Sequence, residues 1–408
     1  MELGTEQPGI DQATHHRVVV IGGGNAGLSV SGRLRRAGVH DIVVVEPRQD
    51  HFYQPMFSHV AGGTAPAGAA VRTQASVMPR GVEWIRDRVV DIHPEYRMVT
   101  LASRHRLTYD HLIVCPGIQK DWDGVPGLAE AMASPRGASN YEYELATKAS
   151  RLLRDLTHGT VVFTQPAGPA TCAGAAQKPM YLACDYWRAT GRLTDIRVVM
   201  VVPDPTVFGI PLIDEELERK IAEYGIELRC SSELLEVDVL DHSVLIGHHG
   251  ATERIGYDLL HAVPPQSAPD WLKATALAGP AESGGFVEVD PATLRHIRYS
   301  TVWSLGDAAA TRNSKSGGAL REQTQVLAKN LRAALRGKGP TARYSGYAVC
   351  PFTVSRSTVV FAEFDARRHP KPTIPFWGGL ARERRLTWVF DRHILPWVYW
   401  NLILKGLA

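Results

Sequence analysis

The sequence predicts an α/β protein made of two related units and a C-terminal segment of different composition. Three observations predict this fold class: a strand, glycine-rich turn and helix near the N-terminus, a short strand motif that occurs in both halves of the chain, and a change of composition after residue 346. The 408 residues suffice for two or three domains, because domains usually contain about 100 to 200 residues.

The first element is the strand, turn and helix unit at residues 17–46. Its apolar strand (RVVVI) runs into GGGNAG, where Gly22, Gly24 and Gly27 have GxGxxG spacing. Such glycines permit a tight turn, a close approach of the backbone to a pyrophosphate and close packing of helix on strand, while the helix N-terminus favours an anion. Glu46 ends the next strand, where an acidic side chain binds ribose hydroxyls. Together these features predict a dinucleotide site.

The second element is an internal duplication. YDHLIVCPG at 109–117 and YDLLHAVPP at 257–265 each combine Tyr-Asp, a short apolar strand and a breaker pair. The second unit should begin with the strand TVVF at 160–163, but the glycines that follow, Gly168 and Gly174, are too far apart for GxGxxG. We therefore predict that the second unit keeps the Rossmann-like fold without a phosphate cradle for NAD(P).

The third element returns the chain to the first unit. TVWSLGD at 301–307 reads as a strand that ends in Gly-Asp. Asp307 could cap the following helix, since Asp is a favoured N-cap residue. After a dinucleotide fingerprint we prefer to interpret it as a residue that binds a cofactor hydroxyl.

The last segment is basic and aromatic. From Asp365 onward there are eight Lys or Arg residues against three acidic ones, and four of the nine tryptophans lie here: Trp377, Trp388, Trp397 and Trp400. No apolar run reaches the roughly 20 residues that span a bilayer. The composition suits a helix that lies on an anionic membrane surface. A C-terminal helix packed on the core or on another subunit explains it equally well.

Overall charge and cysteine number exclude several classes of protein. The net charge of +3 gives no support for nucleic-acid binding. The five cysteines form no CxxC pair, which fits neither a secreted disulfide scaffold nor a zinc site, and we predict no metal site.

One cysteine has surroundings that suit chemistry. Cys172 lies in a Gly/Ala/Pro-rich loop directly after a strand, where doubly wound sheets place functional groups, and Lys178 could stabilise its thiolate. Cys115, Cys184 and Cys230 are expected to be inert, as most free cysteines are. A pair formed by Cys172 and Cys184 is one alternative, and it requires the loop to fold back onto the helix.

Six stretches of the chain are specific enough to compare with a known family: HFYQPMF at 51–57, GVEWIRDRV at 81–89, TCAGAAQKPMYL at 171–182, YDLLHAVPPQSAPDWLK at 257–273, SLGDAAATRNSKS at 304–316 and YAVCPFTVSRSTVVFAEFD at 347–365. In these stretches the chain resembles the sulfide:quinone oxidoreductases, specifically the subgroup that includes the mitochondrial enzyme, within the two-dinucleotide-binding-domain flavoproteins of glutathione-reductase-like fold. The resemblance covers nearly everything from His16 to Ala408.

The resemblance implies FAD and a set of site residues. We expect FAD to bind noncovalently, because the early part of the chain has no cysteine that could link it. The FAD-binding positions are Gly22, Gly24, Asn25, Ala26, Gly27, Glu46, Gln54, Val89, Gly117, Asp307 and Lys315. The redox pair falls on Cys172 and Cys350, with the transferable sulfur on Cys350 and Cys172 facing the flavin. The expected domains are a disordered tail at 1–16, an FAD-binding domain at 17–156 and 285–345, a second Rossmann-like domain at 157–284, and a membrane or quinone segment at 346–408.

The implied activity is the oxidation of hydrogen sulfide to sulfane sulfur, with two electrons passed through FAD to ubiquinone or menaquinone. A small acceptor such as glutathione or sulfite would remove the sulfur. The chain could also form a homodimer. The first sixteen residues contain three acidic residues and no Lys or Arg, which matches no signal or transit peptide. We therefore expect a peripheral protein on the cytoplasmic face of a prokaryotic inner membrane.

Two other functions compete with this one. A type II NADH:quinone oxidoreductase shares the fold and FAD, but it would need an intact second glycine loop and would not need the cysteines. A non-catalytic, membrane-associated protein could hold FAD only as a structural cofactor, in which case the cysteines would be dispensable.

Overall fold

The computed structural model describes residues 13–373 and 381–408. The strands are β1 (Thr14–Ile21), β2 (Ile42–Val45), β3 (Asp50–Phe52), β4 (Val71–Thr73), β5 (Glu83–Ile85), β6 (Val89–His93), β7 (Met98–Leu101), β8 (Arg106–Val114), β9 (Gln119–Lys120), β10 (Gly137–Ala138), β11 (Gly159–Thr164), β12 (Ile196–Val201), β13 (Glu227–Arg229), β14 (Ser232–Asp238), β15 (Ser243–His248), β16 (Ala251–Gly256), β17 (Leu259–Ala262), β18 (Gln266–Ser267), β19 (Val302–Ser304), β20 (Ala348–Ser355) and β21 (Thr358–Phe364). The helices are α1 (Asn25–Arg36), α2 (Met56–Ala61), α3 (Gln74–Val77), α4 (Leu128–Ala133), α5 (Tyr143–Asp155), α6 (Lys178–Ala189), α7 (Pro211–Tyr224), α8 (Asp270–Lys273), α9 (Leu320–Ala334), α10 (Arg385–Val389) and α11 (Leu395–Val398).

The first sheet has the order β5-β2-β1-β8-β7-β6, with β19 paired to β8. Strands β1, β2, β5, β8 and β19 run parallel, whereas β7 pairs antiparallel with both β6 and β8. The central strands are apolar on both faces because parallel sheets are covered on both sides, and Val18–Val20 are fully buried. Strand β1 begins at Thr14, within the tail expected at 1–16, and residues 1–12 lie outside the described part.

The second sheet repeats the parallel arrangement with the order β10-β17-β11-β12-β13. A separate antiparallel sheet, β14-β15-β16, follows it. The two copies of the Tyr-Asp motif mark equivalent strands, since the first lies within β8, which pairs with β1, and the second directly precedes β17, which pairs with β11. Asp258 of the second copy accepts a hydrogen bond from the backbone N–H of Thr160, where β11 begins. The strand β19 then returns the chain to the first sheet.

The C-terminal part contains the hairpin β20–β21 and a helical run that starts at Arg385. This run consists of α10 and α11, each followed by a short π-helical stretch, Phe390–Ile394 and Tyr399–Ile403. Within residues 13–373 and 381–408, no helix is long and apolar enough to cross a bilayer. Trp377 of the predicted aromatic set lies outside the described residues.

Candidate active site

Two cysteines from distant parts of the chain meet between the second unit and the C-terminal hairpin. The Sγ atoms of Cys172, in the loop between β11 and α6, and Cys350, in β20, lie 3.3 Å apart, and both are free thiols. Cys172 has a φ of 46°, a left-handed conformation that is uncommon for a residue with a side chain and that clusters at functional sites. Gly174 makes this approach possible, because a Cβ there would lie 2.8 Å from the Cys350 Sγ.

The two thiols differ in acidity. The pKa of Cys172 is lowered to about 6, chiefly because the Cys350 thiol donates a hydrogen bond to it and also because of the nearby Lys178 ammonium. Lys178 is buried and its Nζ lies 3.7 Å from the Cys172 Sγ. The pKa of Cys350 is raised well above its ordinary value by that same hydrogen bond and by burial. Cys172 is therefore the thiolate at neutral pH and Cys350 the proton donor.

The loop that carries Cys172 is fastened to the Gly-Asp segment of the first unit. The Cys172 N–H donates to the Lys315 carbonyl at 2.6 Å, and the Thr171 hydroxyl donates to the Asp307 carboxylate at 2.8 Å. The Tyr141 hydroxyl donates to the carbonyls of Thr171 and Cys172 at 2.9 and 3.1 Å. The structure thus brings three predicted site residues together. Sequence reasoning missed Thr171, although it precedes Cys172 in the quoted motif, and Tyr141, for which the sequence holds no signal.

Lys315 is a buried cation aimed at the same segment. Its ammonium donates to the carbonyls of Asp307 and Ala309 at 2.7 and 2.9 Å and lies 3.8 Å from the centre of the Phe286 ring. Burial lowers its pKa to about 8, against a smaller opposite effect of the Asp307 carboxylate. Lys315 can therefore hold positive charge, or supply a proton, beside the Gly-Asp segment.

The glycine turn after β1 has the shape of a phosphate cradle. A Cβ on Gly22 would lie 2.4 Å from the Cys115 carbonyl oxygen, and one on Gly27 would lie 1.9 Å from the Gly22 carbonyl oxygen. A Cβ on Gly24 would instead meet nothing within 4 Å. Helix α1 starts at Asn25 without a side-chain cap, so an anion could accept hydrogen bonds from the N–H groups of its first turn. The residues present fit a dinucleotide pyrophosphate.

The remaining predicted cofactor positions differ in burial and in hydrogen bonding. Both oxygens of Glu46 are engaged, one by the Gly23 N–H at 2.8 Å and one by the Arg48 N–H at 2.9 Å. Val89 is buried in β6 within the apolar cluster that also contains Ile21 and Val45. The other four differ in setting: Asn25 and Ala26 form the first turn of α1, Gly117 has a φ of 85° and open surroundings, and Gln54 is exposed before α2.

The other three cysteines have surroundings that suppress reactivity. Burial raises the pKa of Cys115 and Cys184 far above the ordinary value, and it also raises the pKa of the partly exposed Cys230. Cys184 lies inside α6, and the structure places Cys350 rather than Cys184 against Cys172.

Comparison with known proteins identifies the family. Residues 16–324 match the model of the pyridine nucleotide-disulphide oxidoreductases. The mitochondrial sulfide:quinone oxidoreductase of Mus musculus is 33% identical over 419 aligned positions, which cover 100% of this chain and 92% of the relative. The chain belongs to the sulfide:quinone oxidoreductase family. The mitochondrial sulfide:quinone oxidoreductase of Dictyostelium discoideum is 31% identical and covers 99% of the chain and 89% of the relative.

A solved structure of a sulfide:quinone oxidoreductase supports the fold of this chain. The enzyme of Aquifex aeolicus superposes with a TM-score of 0.80 at 19% identity and covers 97% of this chain and 93% of that one. The type II NADH:quinone oxidoreductase Ndh of Mycobacterium tuberculosis is more distant, with 25% identity over 83% of the chain. The predicted family, the α/β fold, the oxidoreductase class and the FAD cofactor are confirmed.

The expected location is wrong. The relatives from mouse and Dictyostelium are mitochondrial proteins of eukaryotes, and they point to a mitochondrial protein rather than to one on a prokaryotic inner membrane. The expectation used only the composition of the first sixteen residues. The match to the mitochondrial relatives uses 99% or more of the chain and is therefore the stronger guide.

Proposed function

We propose that this chain oxidises hydrogen sulfide through Cys172 and Cys350 and passes two electrons through FAD to a membrane quinone. The proposal depends on one observation: the stabilised thiolate of Cys172 and the buried thiol of Cys350 lie 3.3 Å apart. The loop that carries Cys172 is hydrogen-bonded to Asp307 and Lys315. Family membership adds the substrate class, because the relatives are named sulfide:quinone oxidoreductases.

The sulfur chemistry starts from the oxidised pair. Hydrosulfide forms a bond to the Cys350 sulfur while the bond between the two cysteines breaks, which leaves a persulfide on Cys350 and a thiolate on Cys172. Cys172 suits the leaving role because a low pKa makes a thiol leave faster, and Lys178 holds the charge that develops there. A nucleophilic acceptor then takes the outer sulfur and leaves a thiolate on Cys350.

Re-forming the bond between the two thiolates releases two electrons. Bound FAD supplies the two-electron acceptor that connects this step to the quinone. Lys315 can stabilise negative charge on the cofactor or supply a proton, since its buried ammonium has a lowered pKa. Tyr141 and Thr171 hold the Cys172 loop in place while its sulfur changes bonding partner.

The separation of the sulfurs also allows a longer bridge. It exceeds the about 2.05 Å of a disulfide bond and is shorter than two such bonds laid end to end, about 4.1 Å. One additional sulfur atom in a bent arrangement would therefore fit between Cys172 and Cys350 at the observed distance of 3.3 Å. The acceptor that removes sulfane sulfur would be small, such as glutathione or sulfite, because Cys350 is 1% exposed.

The C-terminal helical run supports docking on a membrane. Its exposed side carries large apolar side chains at helical spacing: Leu386, Val389, Phe390, Ile394 and Trp397, the last 58% exposed. Its C-terminal end carries buried Tyr399, Trp400 and Leu404. The end of the run thus packs on the protein, while the exposed apolar side chains before it can enter the headgroup region, where basic residues favour anionic lipids.

The experiment that tests the function is a sulfide titration of the purified protein followed through its flavin spectrum, with and without a short-chain ubiquinone. We expect sulfide to bleach the flavin and the quinone to restore it. Cys172→Ser and Cys350→Ser should abolish bleaching with FAD still bound, whereas Cys230→Ser is the matched control and should behave like the unmodified enzyme. Bleaching by NADH and none by sulfide would instead establish the type II NADH:quinone alternative.

A further inference from the structure

The end of the C-terminal helical run is buried against the first unit beside the glycine turn. Tyr399 and Trp400 are 2% and 5% exposed. The Tyr399 ring lies 4.2 Å from the Tyr53 ring, between centroids, and the Arg72 guanidinium lies 4.6 Å from the centre of the Trp400 ring. This part of the segment is therefore a packed element of the FAD-binding unit.

A chain of hydrogen bonds leads from this packed end to the glycine turn. The Tyr399 hydroxyl lies 2.7 Å from the His51 Nε2. The His51 Nδ1 lies 3.1 Å from the Gly23 carbonyl oxygen, which also accepts from the Gln74 amide at 2.9 Å. A carbonyl oxygen only accepts, so Nδ1 carries the proton and Nε2 accepts from Tyr399. Burial lowers the pKa of His51 to about 4, which keeps this neutral tautomer at physiological pH.

The Gly23 carbonyl matters because of the peptide group to which it belongs. The carbonyl of Gly23 and the N–H of Gly24 lie in one rigid trans peptide plane and point in opposite directions. Two donors that hold the carbonyl therefore also fix the direction of the Gly24 N–H, at the turn where the pyrophosphate would bind. The N–H of Gly23 is held on the other side by Glu46. The turn is thus oriented from outside, by groups that do not themselves reach the open space at Gly24.

The same segment also touches the helix that follows the turn. A Cβ on Gly32 in α1 would lie 2.7 Å from the backbone of Lys405. A residue with any side chain at Gly32 would push the segment away from α1. The segment therefore contacts both the turn, through His51, and the helix whose N-terminus faces the phosphate position.

We propose that Tyr399 is a positioning residue for the FAD phosphate loop, so that docking of the C-terminal helical run and retention of FAD stabilise each other. This inference rests on the proposed FAD site at Gly24. Coupling between two binding events is reciprocal: detachment of the segment weakens FAD binding, and loss of FAD loosens the segment by the same factor.

The test compares Tyr399→Phe with Tyr224→Phe. Both changes remove one buried hydroxyl and keep the ring, but the Tyr224 hydroxyl donates to the Val354 carbonyl, away from the glycine turn. FAD release from the holoenzyme is followed by the rise in flavin fluorescence after dilution into buffer without FAD. We expect Tyr399→Phe to release FAD about five- to tenfold faster, the effect of about one net hydrogen bond, and Tyr224→Phe to match the unmodified enzyme.

A second readout follows the segment itself. Trypsin cleavage after Arg392 and Lys405 should be faster in FAD-depleted protein than in holoenzyme, and Tyr399→Phe should reduce this difference. His51→Leu should accelerate FAD release to a similar extent, and the double variant should add little, since both changes break one chain of hydrogen bonds.

The outcomes separate this inference from the proposed function. If Tyr399→Phe and Tyr224→Phe release FAD at equal rates, and trypsin cleaves the segment equally fast with and without FAD, the coupling is overturned while the proposed FAD site stands. Protein purified without any flavin would overturn the FAD site first. Additive effects of His51→Leu and Tyr399→Phe would also contradict the proposal, because the two side chains would then act independently.

Discussion

Removal of the Lys178 ammonium should raise the pKa of the Cys172 thiol. Lys178→Met keeps an unbranched side chain of similar length and deletes the charge that lies 3.7 Å from the sulfur. At that distance two unit charges interact by about 4.5 kcal/mol at an effective dielectric constant of about 20, and by about 1 kcal/mol in bulk water. Since about 1.4 kcal/mol corresponds to one pKa unit, the pKa should rise from about 6 to between about 7 and about 9.

The assay is the pH dependence of alkylation of Cys172 in the reduced enzyme. A Cys230→Ser background removes the other partly exposed thiol. The midpoint of the pH profile is more informative than one rate, because a thiolate of higher pKa is also more nucleophilic and offsets part of its lower abundance. Because a nearby cation favours the anion, the midpoint must move upward when the cation is removed.

The matched control is Lys220→Met. Lys220 is also buried, but its ammonium pairs with Glu223 and Glu383 at 2.9 and 2.8 Å, so its loss should leave the Cys172 midpoint unchanged. A midpoint that stays near 6 in Lys178→Met, with FAD still bound, would refute the role of Lys178. The hydrogen bond from Cys350 would then account for the low pKa alone.

Three further variants test the rest of the site. Gly174→Ala should slow flavin reduction by sulfide about tenfold or more, because its Cβ would lie 2.8 Å from the Cys350 Sγ; stopped-flow absorbance measures the rate, and an unchanged rate contradicts the geometry. Gly24→Ala should lower the flavin-to-protein absorbance ratio without lowering the Tm of FAD-free protein, because its Cβ meets nothing within 4 Å. Gly68→Ala, which has equally open surroundings, should keep FAD, and equal losses in the two variants would argue against the phosphate site. Trp397→Ser should weaken cosedimentation with vesicles that contain anionic phospholipid about tenfold, and unchanged binding would exclude this side chain from the membrane contact.

The parts of the site that the sequence predicts are those encoded within a few residues. The glycine turn and Glu46 belong to one unit of strand, turn, helix and strand, so their spacing alone predicts a dinucleotide site. Cys172 has a local signal as well, because it follows a strand in a loop of small residues. Cys350 has none: it lies 178 residues from Cys172, and only the resemblance to a family joined the two.

Contacts between distant parts of the chain explain what the sequence left open. The hydrogen bond of Tyr399 to His51 spans 348 residues, and that of Thr171 to Asp307 spans 136. In both pairs, the sequence around one residue does not indicate its partner. The C-terminal segment shows a different difficulty. Its composition suited either a membrane anchor or a packed helix, and the structure has exposed apolar side chains between Leu386 and Trp397 and a buried end from Tyr399 to Leu404 on the same helical run. Composition does not show which residues of a segment are buried and which are exposed.

We expect the two units to hold different anions at corresponding positions of the same fold. In the first unit, the turn after β1 leads into α1, whose uncapped N-terminus and Gly24 leave space for a phosphate. In the second, the loop after β11 leads into α6 and carries Cys172, whose thiolate faces the ammonium of Lys178, the first residue of that helix. In the second loop the hydrogen bond from the Cys350 thiol and the Lys178 ammonium stabilise the anion, in place of a cradle of free N–H groups. A single thiolate sulfur can be stabilised by one donor and one nearby charge, which explains why the second loop can dispense with GxGxxG and still serve the redox chemistry.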